Sequence, residues 1–401
     1  MPVMDAVRDF PLRRTDPFFP PAEYDEIRAT EPVCRVRLPT GKQAWIVTRY
    51  HDVRALLADP SVSSDIRRPN FPAMGAGEQE TGARTRPFIR TDPPRHTRFR
   101  KMFVAEFTPR RVQALRPRVE DLVDELLEGL LAGPRPVDLL PHYANAVTTT
   151  VICALLGVPA GDVEFFRDVT RVSGARASSA EEVGAALGKL FELLARLIEE
   201  KDASPADDLL SVLVVNHLRT GTVTQQELVS AVAMTIIAGR ETTTSMIALG
   251  TLLLLERPEL RAALAERPDR WPAAVDELLR VLSVGDSLAL RVAATDLELS
   301  GRTIPAGDGV IGLLGAANHD PEVFPEPRSV DLDRVGPPHL AFGHGGHSCF
   351  GAALARLEIG IALESLFRRI PALRLHGGTG DVVFKHESAT FGVEEMLVEW
   401  A

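Results

Sequence analysis

Cysteine is scarce in this chain of 401 residues: Cys34, Cys153 and Cys349 are its only three. An odd number of widely spaced cysteines builds no disulfide framework, so a reducing compartment is expected. Basic residues are outnumbered too, 45 lysines and arginines against 55 acids, which gives a formal net charge of −10. Binding a phosphate backbone needs a concentrated basic surface, so this balance argues against nucleic acid as a partner while leaving room for a small local basic patch. The opening MPVMDAVRDFPLRRTDPFFPP has charges and prolines where a signal peptide needs an apolar stretch, so a cytoplasmic protein is the expectation. The most apolar run, residues 228–255, carries Arg240 and Glu241 at its middle. Charge is costly there in lipid, so the run reads as a buried helix and no membrane association is expected.

What is present is a globular composition, 45% hydrophobic and 25% charged, with enough apolar residues for a large core. Short β-like runs, VCRVRL and QAWIV, fall in the first sixty residues. A long Gly/Pro/Arg-rich connection follows to about residue 88. From Pro94 the pattern is helical: HTRFRKMFVAEF, VEDLVDELLEGLLA, NAVTTTVICALLG, then residues 181–201 and 207–218. Thr224 and Glu227 have capping-box spacing before the long apolar run. At about thirty residues, or on the order of 45 Å, that helix must cross the core. Strand-like alternation returns in LRVAATDLELSGRTIPAG, and a helix over about 351–367 and β-like ends close the chain. No internal repeat or linker is visible. Residues 1–401 therefore read as a single domain, mainly α with small β-sheets.

The last cysteine lies in FGHGGHSCFG, immediately before a helix. A helix N-terminus stabilises a thiolate, and Gly343, Gly345, Gly346 and Gly351 allow tight or left-handed turns and close approach of a flat ligand. Two other readings stand beside a thiolate site. Cys349 could be a small buried hydrophobe, or His344, His347 and Cys349 could hold zinc, although no second ligand pair at suitable spacing completes four.

The string Phe342, Gly343, Gly345, His347, Cys349, Gly351, continued by Ala353, Leu354, Ala355, Arg356 and Glu358, resembles the haem-binding loop of the cytochrome P-450 family, the haem-thiolate monooxygenases. The resemblance runs from RYHDVRALLADP to FKHESATFGVEEM and is greatest to soluble actinobacterial members. It implies one large domain with haem b between the long central helix and the cysteine loop, and Cys349 as iron ligand. A thiolate ligand donates electron density that favours O–O cleavage.

Other parts follow from the same resemblance. Glu277 and Arg280, one helical turn apart, with Arg334, correspond to a structural ion cluster that holds the cysteine loop. His96, Arg100, Arg291 and His347 would bind the haem propionates. Ala238, Gly239, Glu241 and Thr242 match the oxygen-binding stretch, with Thr242 hydrogen-bonding dioxygen and Glu241 relaying protons; Gly239 leaves room or a local widening of the helix. Arg240, about 200° round the helix from Thr242, should face away and pair with an acid. Phe88, Ile89, Met234, Ile237, Leu288, Ala289, Leu290 and Thr390 would line the substrate pocket, and positions 234, 235, 238, 242 and 245 are expected on one face. Arg84, Arg86 and Arg90 read as solvated arginines of a mobile loop, with recognition of an anionic substrate group as the other reading.

The implied activity is insertion of one oxygen atom from dioxygen into a mostly apolar small molecule, as natural-product tailoring (macrolide- or polyketide-like) or xenobiotic oxidation. The chain has no flavin or iron–sulfur motif, so electrons from NAD(P)H would arrive through ferredoxin reductase and ferredoxin, with Arg100, Lys101, Arg110, Arg111 and Arg356 as a docking patch. Peroxygenase, ring-ether or coupling chemistry is the alternative, and a non-catalytic haem sensor a more distant one.

Overall fold

The computed structural model describes residues 7–75, 77–174, 179–386 and 388–401. These fall into two compact units, Met1–Arg98 with Glu277–Cys349, and Phe99–Asp276 with Phe350–Ala401.

The first unit is built on a six-stranded sheet in the order Arg8–Asp9, Val33–Arg37, Gln43–Val47, Gly309–Gly312, Ala289–Ala293, Val62–Ser63. The tip Leu38–Lys42 closes the first hairpin, with Gly41 at φ +78° and Leu38 N–H donating to Lys42 O. Arg37 faces Gln43, and Val33 faces Val47. Alternate side chains of a strand point to opposite faces, and here both faces are covered. Ile46, Phe71, Leu290, Val292 and Ile311 form one core; Val47, Ala289, Ala293, Val310 and Leu340 form the other. The strand Ala289–Ala293 is buried throughout, so Arg291 is placed inside protein by its neighbours.

The connection over residues 64–88 is not all loop, because Glu78–Thr85 is helical. Its ends are left-handed, at Gly77 (φ 74°) and Arg86 (φ 48°), and the Glu78 carboxylate accepts from the N–H groups of Met74 and Gly75. The segment has no apolar stripe, which is why periodicity hides it. Ala76 lies outside the described residues.

The second unit is helical. Gln225–Glu256, 32 residues long, opens with the capping box, Thr224 Oγ1 accepting from Glu227 N–H and Glu227 accepting from Thr224 N–H. Helices Asn145–Leu156, Ala180–Ala203 and Ala352–Arg369 pack on it, and the last also packs on Arg116–Ala132. Polar anchors cross these contacts: Thr148 and Thr244 share a hydroxyl hydrogen bond of 2.8 Å, and Tyr143 Oη donates to Ala362 O at 2.6 Å. The expected helix over 207–218 is two pieces, Leu209–Leu213 and a wider π turn at Val214–Leu218. Small sheets join Arg374–Leu375, Leu397–Glu399 and Val137–Asp138, and pair Val383–Phe384 with Val393–Glu395.

One buried acid in this unit has a measurable consequence. Glu358, on Ala352–Arg369, is 5% exposed and its Oε1 has no hydrogen-bond partner. Burial pushes its carboxyl up to about 8. The folded chain therefore keeps a proton that the unfolded chain loses above about pH 4.5. Stability linked to this group is fully present below that pH and declines as pH rises to about 8, by roughly 5 kcal/mol. Glu358→Gln should flatten the decline, so that its urea midpoint exceeds wild type at pH 8.5 and approaches it at pH 5. An unchanged pH dependence would show that the carboxylate is stabilised in its charged form.

Candidate active site

Of the three cysteines, Cys34 and Cys153 are buried and Cys349 is exposed. Burial also pushes the Cys153 thiol up to about 12, which leaves Cys349 as the thiol available to a ligand. Its loop is tied by backbone bonds: Gly343 N–H to Leu340 O, Ser348 N–H to Gly345 O, and Cys349 N–H back to Phe342 O at 2.8 Å. Gly343 and Gly345 take φ +69°. A Cβ at Gly345 would lie 2.3 Å from Leu57 O, so only glycine fits there. The left-handed turns expected of four glycines are made by these two; Gly351 has φ −83° and begins the helix Ala352–Arg369. His344 turns to Arg54, 3.4 Å away, while His347 stacks on buried His96 with ring centroids 3.8 Å apart. Among the described residues no cluster of three His, Cys, Asp or Glu side chains could hold a metal ion.

Glu277, Arg280 and Arg334 meet as one network. Arg280, 2% exposed, spends all five N–H donors: Nε and Nη2 on the two Glu277 oxygens at 2.8 and 2.7 Å, the others on the carbonyls of Asn318, Pro327 and Ser329. Arg334 Nε and Asp331 N–H both donate to Glu277 Oε1 at 3.0 Å. Burial alone would raise the Glu277 carboxyl, but these donors, Arg280 foremost, hold it below the usual range. Asn318 carries the network onward, since its Oδ1 accepts from Leu340 N–H at 2.6 Å, two residues before Phe342. The ion cluster is thus wired to the start of the cysteine loop.

Arg291 is 7% exposed, and its guanidinium donates to Leu290 O at 2.8 Å without meeting a carboxylate. Burial, and next the charge of Arg90, bring its pKa down to about 10. Phe88 is buried, Ile89 and Leu288 are half-buried, and Ala289 and Leu290 sit in the two cores of the sheet.

In the second unit, Arg100 lies half-buried on the helix Arg95–Val104. The long helix is buried on most sides, but Ala238 and Gly239 are exposed and Met234, Ile237, Glu241 and Thr242 are half-buried. Thr235 and Ser245, expected on that face, are instead buried. Thr235 Oγ1 bonds back to Ala231 O, and Ser245 abuts Gly392 so closely that a Cβ there would lie 2.4 Å from Oγ. Helical spacing alone misjudged how far the neighbouring segments wrap. A Cβ on Gly239 would meet nothing within 4 Å, and the helix stays α throughout, with Thr242 Oγ1 donating to Ala238 O at 3.0 Å. Thr390 is buried with its hydroxyl unpartnered.

Glu241 is held from two sides. Arg240, 3% exposed, donates Nη2 to Glu241 Oε2 at 3.1 Å and Nη1 to Asn145 Oδ1 at 3.0 Å, and Lys385 Nζ donates to Glu241 Oε1 at 2.7 Å. Arg240 thus pairs with an acid, and that acid is the next residue. Asn145 and Lys385 were not among the residues singled out in the sequence. They come from distant segments, and no local pattern marks them.

A model of the cytochrome P-450 family matches residues 271–378. Pentalenic acid synthase of Streptomyces avermitilis is 42% identical over 391 residues, 98% of this chain and 97% of that protein. The chain belongs to the cytochrome P-450 family. Mycinamicin VIII C21 methyl hydroxylase of Micromonospora griseorubida is 41% identical, over 98% of this chain and 99% of that one. Two crystal structures of CYP105N1 from Streptomyces coelicolor are 62% identical, with TM-scores of 0.94 (99% of each chain) and 0.91 (98% and 100%); the second is described as an oxidase of the coelibactin siderophore pathway. This cytochrome P-450 is therefore a mainly helical haem monooxygenase, using haem b and electrons from NAD(P)H delivered by redox partners. The first unit offers what such a group requires: an exposed thiol on a glycine loop, two stacked imidazoles and a buried guanidinium that is in no ion pair among the described residues. No helix among the described residues is long and apolar enough to cross a membrane.

Proposed function

We propose that this cytochrome P-450 is a single catalytic domain, cytoplasmic, that takes electrons from a ferredoxin and oxygenates a mostly apolar secondary metabolite. The observation that carries the reading is the partly exposed strip Met234, Ile237, Ala238, Gly239 and Thr242 at the middle of a mostly buried helix, with Glu241 beside it. Haem supplies the reductive activation of dioxygen, and Cys349 is its thiolate ligand. His96, Arg100, Arg291 and His347 would hold its propionates, Phe342, Gly343 and Gly351 would shape the cysteine loop, and Glu277, Arg280 and Arg334 would hold that loop. Met234, Ile237, Phe88, Ile89, Leu288 and Thr390 orient the substrate and exclude water. Thr242 Oγ1 leaves the Ala238 carbonyl to donate to dioxygen. Glu241, released from Lys385, carries protons inward, so Lys385 and Arg240 set when the carboxylate can move. Relatedness to pentalenic acid synthase, a mycinamicin VIII hydroxylase and an oxidase of the coelibactin siderophore pathway supports natural-product tailoring.

The test is turnover with ferredoxin, its reductase and a compound found by spin-shift screening of natural products. Thr242→Ala should lower product per NAD(P)H consumed by about tenfold, as general acid catalysis is worth that much or more, and release hydrogen peroxide instead. Unchanged coupling would remove Thr242 from the proton path. Absence of substrate-dependent NAD(P)H consumption by wild type would favour a non-catalytic haem protein.

A further inference from the structure

The solvated reading of the arginines at 84–90 fails for Arg90. Its guanidinium lies over the ring of Phe71, 5.4 Å from the centroid, and reaches the carbonyl of Leu288 at a long 3.5 Å. Among the described residues it makes no ion pair. Desolvation dominates its electrostatics and lowers its pKa, with Glu78 the one acid that opposes the effect. Arg291 is the neighbouring charge, and Arg90 in turn disfavours its protonated form.

Among the described residues neither guanidinium is in an ion pair, although Glu78 and Asp92 act on them electrostatically. Both acids are committed elsewhere. Glu78 caps Met74 and Gly75 N–H, and Asp92 accepts from Ser63 Oγ and Ser64 N–H. Arg90 is half-buried and Arg291 buried, and a cation withdrawn even in part from water without a counter-charge is costly unless an anion comes to it. The position is specific as well: Arg90 follows Phe88 and Ile89 directly and touches Leu288, so it joins the two segments of this unit read as lining the substrate.

We infer that Arg90 is a substrate-recognition residue that binds a carboxylate on the molecule to be oxidised. The planar guanidinium fork matches the two oxygens of a carboxylate, and a desolvated site strengthens the contact. The inference rests on the haem-monooxygenase reading and narrows it, from an apolar small molecule to one with an apolar body and an anionic end. Arg291 remains with the haem propionates. The competing source of carboxylate for Arg90 is also a propionate, and the experiment separates the two.

The probes are imidazol-1-yl alkanoic acids of 8 to 12 carbons and their methyl esters, as labels of a commercial series, titrated into holo-protein at pH 7.5 and followed by the haem absorption shift. Imidazole anchors every probe on iron, so each binds and reports. Wild type should bind at least one acid about tenfold or more tightly than its ester, the worth of a charge-assisted hydrogen bond. Arg90→Gln should reduce that ratio to within about twofold, with ester affinity unchanged and haem transfer to apomyoglobin no faster. Arg90→Lys should retain part of the preference. No acid preference at any length, or a preference untouched by Arg90→Gln, overturns the proposal. Accelerated haem loss in Arg90→Gln with the ratio unchanged would assign Arg90 to a propionate instead. If wild type shows no haem band, the failure lies in the underlying reading and not in Arg90.

Discussion

Glu277→Ala is expected to yield almost no folded holo-protein. The substitution leaves Arg280, 2% exposed, and the partly buried Arg334 without their shared carboxylate. Breaking a buried pair by removing one partner costs about 3–5 kcal/mol, out of a total stability of roughly 5–15 kcal/mol. The loss also travels, because Asp331 N–H loses its acceptor, and the Asn318 link to Leu340 depends on the backbone that Arg280 pins. Loop order and global stability should therefore fall together. Glu277→Gln, which keeps acceptor geometry at one oxygen, should be intermediate.

The sign with pH follows from the depressed Glu277 carboxyl. Its stabilisation is present above the unfolded value, near 4.5, and is lost as pH falls through the lower folded value. Wild type should thus lose stability in acid, and Glu277→Gln should show a shallower loss over the same range. The measurement is a set of urea midpoints from pH 7 down to pH 3, with haem content recorded at each. An alanine variant with wild-type midpoint and haem content would mean that the network does not hold the cysteine loop.

Which features were legible in the sequence depends on how local they are. The cap Thr224/Glu227 and the pair Glu277/Arg280 each join residues three apart, and both are present in the structure. The glycines of the cysteine loop marked a special backbone, although only Gly343 and Gly345 use the left-handed region. Pairings between distant segments leave no such trace. Asn145 lies 95 residues from Arg240, and Lys385 lies 144 from Glu241. Arg90 reads as solvated alongside Arg84 and Arg86, yet it is half-buried, lies over Phe71 and reaches the carbonyl of Leu288, contacts with distant segments. The buried sides of Thr235 and Ser245 were misjudged for a related reason: periodicity gives a helix face, and the packing segments decide how wide it is.

The central claim is that Cys349 ligates haem iron, and its removal should have the largest effect on function. The thiol is exposed, its loop is fixed by Gly345 against Leu57 and by the bond from Cys349 N–H to Phe342, and the other two cysteines are buried. A thiolate is a strong donor whose loss changes both the spectrum and the oxygen chemistry. The direct measurement is the absorption spectrum of dithionite-reduced protein under carbon monoxide, for wild type and Cys349→His. The expected result is a strongly red-shifted Soret band in wild type that disappears in the variant while haem is retained, together with loss of oxygenation. A red-shifted band that survives in Cys349→His, or a wild-type band at the position of histidine-ligated haem, would contradict the account.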